Sequence, residues 1–231
     1  MSRWYKHPDN PVLGGDLGTC FDLCVLPDAG RYRMWFSWRP KKSLALTESA
    51  DGVHWSPPEL ALGRAETGWE DNLNRPVVLQ RDGTYHLWYT GQADGHSRLG
   101  YATSVDGRQW DRLPDPVLEP ELPWEGVAVM CPHVQWTGTE YRLWYSAGEQ
   151  YEPDVIGHAT SPDGIHWTKH PEPIFTPGEA AWEQHKVTAC QVIEHDGWQV
   201  MFYLGFEDVH TARIGLARSR DGLTNWQRHP D

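Results

Sequence analysis

The chain has 231 residues, a formal charge of −12, 14 tryptophans, 22 glycines, 18 prolines and four cysteines. That length accommodates one large core, and the acidic balance disfavours nucleic acid, whose phosphates need a basic footprint. No apolar run is long enough to cross a bilayer, which excludes a membrane-spanning helix.

The opening MSRWYKHPDN lacks the basic start and apolar stretch of a secretory signal, so the expected location is cytoplasmic. Residues 1–13 read as an outer closing strand, because RWYKHPDNPVL stands at the same point of a pattern that NWQRHPD reaches at the other end. Four units follow, over about 14–62, 63–119, 120–176 and 177–231. Each carries one version of a single phrase: SLALTESADGVHW, GYATSVDGRQW, IGHATSPDGIHW and IGLARSRDGLTNW, ending at Trp55, Trp110, Trp167 and Trp226. A period of this size marks repeated supersecondary units.

The second unit shows the internal order. RPVVL, YHLWYTG, RLGYATS and RQW are short runs rich in Val, Tyr and Trp, separated by Asp-Gly turns. Such runs are strands joined by tight hairpins, and four antiparallel strands per unit make a propeller blade. A helical solenoid would need apolar spacing of three and four, which these runs lack. The expected class is therefore all-β, a β-propeller in one domain, with four full four-stranded blades and an N-terminal orphan outer strand. That orphan leaves three arrangements open: a sequence short of one blade, closure by four blades, or two chains completing each other as a homo-oligomer. The SxDGxxW phrase reads as scaffold, with Gly supplying the turn's positive φ and the Ser and Asp side chains bonding turn backbone.

Trp69, Trp124 and Trp182 each open a unit with Trp-Glu; they suit wedge packing between blades better than sugar-stacking subsites. Cys20, Cys24, Cys131 and Cys190 have neither metal-type pairing nor disulfide density and read as free thiols. His133, His158, His166 and His185 show no HxH or HExxH spacing, so no zinc site is expected. No cofactor is implied, although a calcium ion on a propeller axis would leave no local motif.

The segments NPVLGGDLGTCFD, FSWRPKKSLALTESADGVHW, NRPVVLQRDGTYHLWYTGQ, MCPHV, YSAGEQYEPDVIGHATSPDGIHW, VTACQVI and GLARSRDGLTNWQRHP together resemble the five-bladed propeller glycosidase-like proteins related to glycoside hydrolase families 43, 32, 68 and 130, the arabinanase, levansucrase and invertase superfamily. The resemblance implies that each first strand lies nearest the axis and that the loop between strands two and three returns to the same, substrate-facing side. It gathers Asp22 and Arg39 from the first blade, Asn74, Arg75 and Gln92 from the second, His133, Glu149, Tyr151 and Glu152 from the third, and Thr188, Gln191, Glu207 and Asp208 from the fourth. The ligand implied is a carbohydrate.

Glycoside hydrolysis needs two carboxyl groups, one ionised and one protonated. By resemblance Asp22 of FDLCVL falls on the family 43 base, whereas that family's second Asp falls on Val77 and its acid Glu on or near Met130. The acid then has to come from the returning loops, where Glu149, Glu152 and Glu207 are the candidates. Arg39, Asn74, Arg75, Gln92, His133, Tyr151, Thr188, Gln191 and Asp208 are the expected substrate-binding set. Arg75 has two open roles: a structural pair with Asp22, or a bidentate hold on a substrate carboxylate or phosphate. The functional expectation is a glycosidase acting at the central funnel; a non-catalytic carbohydrate-binding propeller and a glycoside phosphorylase are the alternatives.

Overall fold

Runs such as RMWFSW and YRLWYSAG alternate side chains between two faces and end at Asp-Gly or Gly turns, so their backbone groups are satisfied by hairpin ladders. The computed structural model describes residues 5–151 and 153–229, and its regular structure is strands with short 3₁₀ turns. The first sheet runs β1 (Cys20–Asp28), β2 (Arg31–Trp38), β3 (Ser43–Ser49) and β4 (Glu59–Leu62) in spatial order. The second repeats this with β5 (Asn72–Arg81), β6 (Thr84–Ala93), β7 (His96–Ser104) and β8 (Asp111–Arg112).

In the third, β9 (Ala128–Trp136) lies alongside β10 (Tyr141–Gly148), which pairs with β11 (Pro153–Ser161) and then β12 (Thr168–Lys169). A parallel bridge from Ser97 to Ala128 ties β9 back to β7. The fourth is β13 (Lys186–His195), β14 (Trp198–Phe206), β15 (Ala212–Ser219) and β16 (Gln227–Arg228). The inner strands β1, β5, β9 and β13 contact one another in that sequence. This is the all-β propeller class expected from the repeat.

The N-terminal segment departs from expectation. Residues 5–13 form no strand and carry instead a turn in which Asn10 N–H donates to the His7 carbonyl at 3.1 Å. A strand needs a neighbour for its N–H and C=O groups, and no described strand pairs with this segment.

The SxDG phrase folds identically in each sheet. Ser49 Oγ accepts the Asp51 and Gly52 N–H groups at 3.2 and 2.8 Å, while Asp51 Oδ1 accepts those of Val53 and His54 at 2.9 and 2.8 Å. Gly52, Gly107, Gly164 and Gly222 sit at φ of 78°, 70°, 80° and 76°, a region that an L side chain rarely adopts.

These glycines also join the sheets. Trp35 Nε1 donates to the Gly107 carbonyl at 3.0 Å, Trp88 to Gly164 at 2.8 Å and Trp144 to Gly222 at 2.9 Å. Each indole thus latches onto the turn of the following sheet. The turn's own tryptophan is then left without an acceptor: among the described residues the buried Nε1 atoms of Trp110, Trp167 and Trp226 have no partner. In the first sheet Trp55 Nε1 itself donates to the Gly52 carbonyl at 3.1 Å, and among the described residues no indole from another sheet does.

A second staple closes each later sheet. Glu70, Glu125 and Glu183, all buried, accept the hydroxyls of Tyr89, Tyr145 and Tyr203. Arg112, Lys169 and Arg228 from the outer strands neutralise them at 2.6, 2.8 and 2.9 Å, which a buried carboxylate requires. Trp69, Trp124 and Trp182 stack on those same tyrosines at centroid distances of 6.2, 6.1 and 5.9 Å, so they pack the wedge.

Candidate active site at the propeller axis

Three of the inner strands, β1, β5 and β13, break their ladder at one place. Register shifts fall between Phe21 and Cys24, Asn74 and Val77, and Thr188 and Gln191. Within them Asp22, Arg75 and Ala189 adopt left-handed φ of 48°, 56° and 47°, and Cys131 of β9 does the same at 53°. Bulges of this kind re-aim a side chain out of the pleat. Here they deliver Asp22, Arg75, Cys131 and Ala189 to one cavity of about 490 Å³, which His133, Cys190 and Gln191 also line.

Arg75 Nε lies 3.3 Å from Asp22 Oδ2, with both side chains about a quarter to a third exposed, at 26% and 33%. The enclosing walls push the Asp22 carboxyl above its ordinary value, against the opposing pull of the Arg75 and Arg39 guanidiniums. Arg75 Nη1 donates to Asn74 Oδ1 at 2.8 Å, and Asn74 Nδ2 donates to Gln92 Oε1 at 2.9 Å. Burial likewise pushes the Cys131 thiol up, so it faces Arg75 as a neutral group.

The other expected site residues divide clearly. Gln191 and His133 line the cavity; His133 Nε2 donates to the Val192 carbonyl at 2.8 Å, and burial lowers its pKa to about 4, so it stands there neutral. The Thr188 hydroxyl is buried against the Cys131 thiol. Arg39 spreads over the Phe21 ring at 4.8 Å near Asp22. Asn74 and Gln92 are buried and bonded to each other.

Among the described residues the returning loops bring no carboxylate to the cavity lining. Glu149 is exposed and Tyr151 is 73% exposed, and neither lines the cavity. Glu207 pairs with Arg213 at 3.2 Å, outside that lining. Asp208 bonds its own turn, accepting the His210 and Thr211 N–H groups at 2.8 Å each, which commits it to backbone rather than substrate. Glu152 lies outside the described residues. Loop carboxylates keep their hydration by projecting into water, and Glu149, Glu207 and Asp208 do so. Among the described residues Asp22 is the one carboxylate lining the cavity.

Calcium takes six to eight oxygen ligands, and an axial cavity with one carboxylate already paired to Arg75 does not fit it. Among the described residues no group of three His, Cys, Asp or Glu could hold a metal ion. The resemblance puts Cys131 on the same substrate-facing side as Arg75, and the structure brings the two into one cavity, where FDLC, NRPV, MCPH and TACQ occupy corresponding places in the repeat.

No family model matches the sequence. Solved structures match its fold at low identity: a member of the GH130 family of mannoside phosphorylases, which contains hydrolases targeting β-1,2-mannosidic linkages, superposes with a TM-score of 0.75 at 14% identity, covering 96% of this chain and 78% of that one. The chain has the fold of the glycosidase-like β-propellers. A glycosyl hydrolase from Bacteroides ovatus shares this propeller at a TM-score of 0.74 and 17% identity, over 90% of this chain and 69% of that one. In sequence, the propeller is 29% identical over 225 residues to an uncharacterized protein of Mycobacterium tuberculosis, covering 86% of this chain and 73% of the relative. It is 27% identical over 185 residues to a 1,2-beta-oligomannan phosphorylase of Thermoanaerobacter, covering 75% of this chain and 58% of that enzyme.

Proposed function

We propose that this propeller acts on a glycosidic bond of an oligo- or polysaccharide in its axial cavity, passing the glycosyl group to inorganic phosphate in preference to water. The observation that carries this reading is that, among the described residues, the cavity is lined by one carboxylate, Asp22, beside one guanidinium, Arg75. Hydrolysis of the family 43 type needs a second carboxyl group to activate water or attack carbon. Val77 and the buried Met130 stand where that resemblance placed the other two. Phosphate brings its own nucleophilic oxygen, so one acid suffices, and a guanidinium matches its bidentate geometry.

In this scheme Asp22 donates its proton to the departing glycosidic oxygen as that C–O bond breaks. A phosphate oxygen forms the new C–O bond at the anomeric carbon, and Asp22 regains a proton from solvent. Phosphate on Arg75 also draws the guanidinium away from Asp22, removing part of the pull that favours the ionised carboxylate, so the carboxyl keeps its proton until the glycosidic oxygen takes it. The sequence similarity to an oligomannan phosphorylase puts β-1,2-linked manno-oligosaccharides first among substrates to test.

The test is incubation with β-1,2-mannobiose and β-1,2-mannotriose, with and without phosphate, scored for mannose 1-phosphate. Expected outcomes are phosphate-dependent turnover, a loss of roughly 10²- to 10⁴-fold in Asp22→Asn, and a raised phosphate KM in Arg75→Lys. Equal release of free mannose without phosphate would replace this reading with hydrolysis. Saccharide binding with no turnover would replace it with a binding module.

A further inference from the structure

We propose that Ser37, on the sheet before Arg75, is a positioning residue that holds the Arg75 guanidinium against Asp22; the kinetic part of this inference rests on the function proposed above. Arg75 is a non-glycine residue at φ 56°, inside the bulge between Asn74 and Val77, where its N–H has left the β5–β6 ladder. That N–H donates to Ser37 Oγ at 2.8 Å. Ser37 is fully buried at the end of β2, so no water competes for its hydroxyl. With the backbone fixed there and Nη1 fixed on Asn74 Oδ1, the Nε edge is left facing Asp22.

The same device recurs around the axis. Thr90 Oγ1 accepts the Cys131 N–H at 3.2 Å and Ser146 Oγ accepts the Ala189 N–H at 2.8 Å, again from the preceding sheet. The register confirms that the positions correspond, since Ser37 lies opposite Phe21 and Thr90 opposite Asn74, each the residue before a left-handed one. In the fourth sheet Leu204 lies opposite Thr188 and offers no hydroxyl. Three hydroxyls therefore hold three axial backbones, but only the one on Ser37 holds a charged group. The Ser146 latch holds a methyl group, and its hydroxyl reaches Arg75 only through the Cys131 thiol, one contact further away than Ser37.

The experiment compares Ser37→Ala, Ser37→Thr, Ser37→Val and Ser146→Ala in the full chain, by phosphate KM and kcat and by the ¹⁵N NMR signal of the Arg75 Nε–H, assigned from its absence in Arg75→Lys. Ser37→Ala should raise the phosphate KM about tenfold or more, as expected when a binding group is misplaced, and should shift or broaden the Nε–H signal. Ser37→Thr should restore both towards wild type, whereas Ser146→Ala, which touches Arg75 only through Cys131, should change both less than Ser37→Ala does. The Thr and Val variants share shape and differ only in the hydroxyl, so they decide the matter if Ser37→Ala does not fold. Unchanged KM and Nε–H signal in Ser37→Val, or equal changes in Ser146→Ala, would overturn the proposal. If no phosphorolysis exists, the NMR signal alone still tests Ser37, so failure of the enzymatic reading and failure of the positioning role are read separately.

Discussion

His133 and His158 show how burial sets chemistry one residue at a time. His133 sits under the axial cavity on the Val192 carbonyl, and His158 packs edge-on against Trp144 at 5.2 Å and 70°. Burial pushes both from the ordinary 6.5 down to about 4. The folded state therefore binds fewer protons than the unfolded chain, and the stability this represents is present above pH 6.5 and lost as pH falls towards 4. At about 1.4 kcal/mol per unit, each group accounts for at most about 3 kcal/mol. Melting temperature should drop through that window, with a shallower fall in His158→Phe; an identical pH profile in the variant would remove the explanation. Asp51, Asp106, Asp163 and Asp221 lose their turn bonds only below the ordinary carboxylate value of 3.8, so the two effects separate on the pH axis. At this scale Asp22 lines the cavity, on the inner strand where the resemblance of FDLCVL to the family 43 phrase put it. The places of the loop acids Glu149 and Glu207 were not legible, because the direction of a loop follows from its own turn bonds and ion pairs rather than from strand alternation.

At the scale of the element, the SxDG turn was readable as a turn but not as a receptor. Its Ser and Asp bonds span two or three residues, and local chemistry predicts them. The indole that lands on its glycine comes from the neighbouring sheet, with Trp88 reaching Gly164 across 76 residues, and no window of sequence contains both. Two tryptophans near the same carbonyl consequently have opposite worth. Trp88→Phe should cost about 1 to 2 kcal/mol by stranding the buried Gly164 carbonyl. Trp167→Phe, whose Nε1 is already unsatisfied, should change stability by less than about 0.5 kcal/mol. Trp55 shows that the turn's own indole takes the carbonyl when no neighbouring indole does. Trp88→Phe should therefore cost more in a Trp167→Phe background, and additive denaturation free energies would show that Trp167 does not substitute.

At the scale of the whole molecule, one sheet face has no cover among the described residues. Val200, Phe202 and Leu204 alternate along one face of β14 where β2 places Arg33, Trp35 and Ser37, so each latching side chain is replaced by an apolar one. Phe202 is 43% and Ile214 is 76% exposed, and the axial cavity runs out over both. Repetition made the four sheets legible in sequence, but ring closure depends on the angle between sheets, which no residue pattern encodes. Ile214 lies opposite Leu204 as Leu99 lies opposite Thr90, so the two occupy equivalent positions, yet Leu99 is fully buried. Leu99→Thr should cost about 2 to 5 kcal/mol, as a buried aliphatic does when truncated and made polar. Ile214→Thr should cost under about 0.5 kcal/mol and should lower any concentration-dependent self-association, because exposed apolar patches drive it. Chemical denaturation of both variants, with sedimentation of the wild type, reads the difference directly. Equal destabilisation would mean that in solution this face is as buried as the contacts between neighbouring sheets.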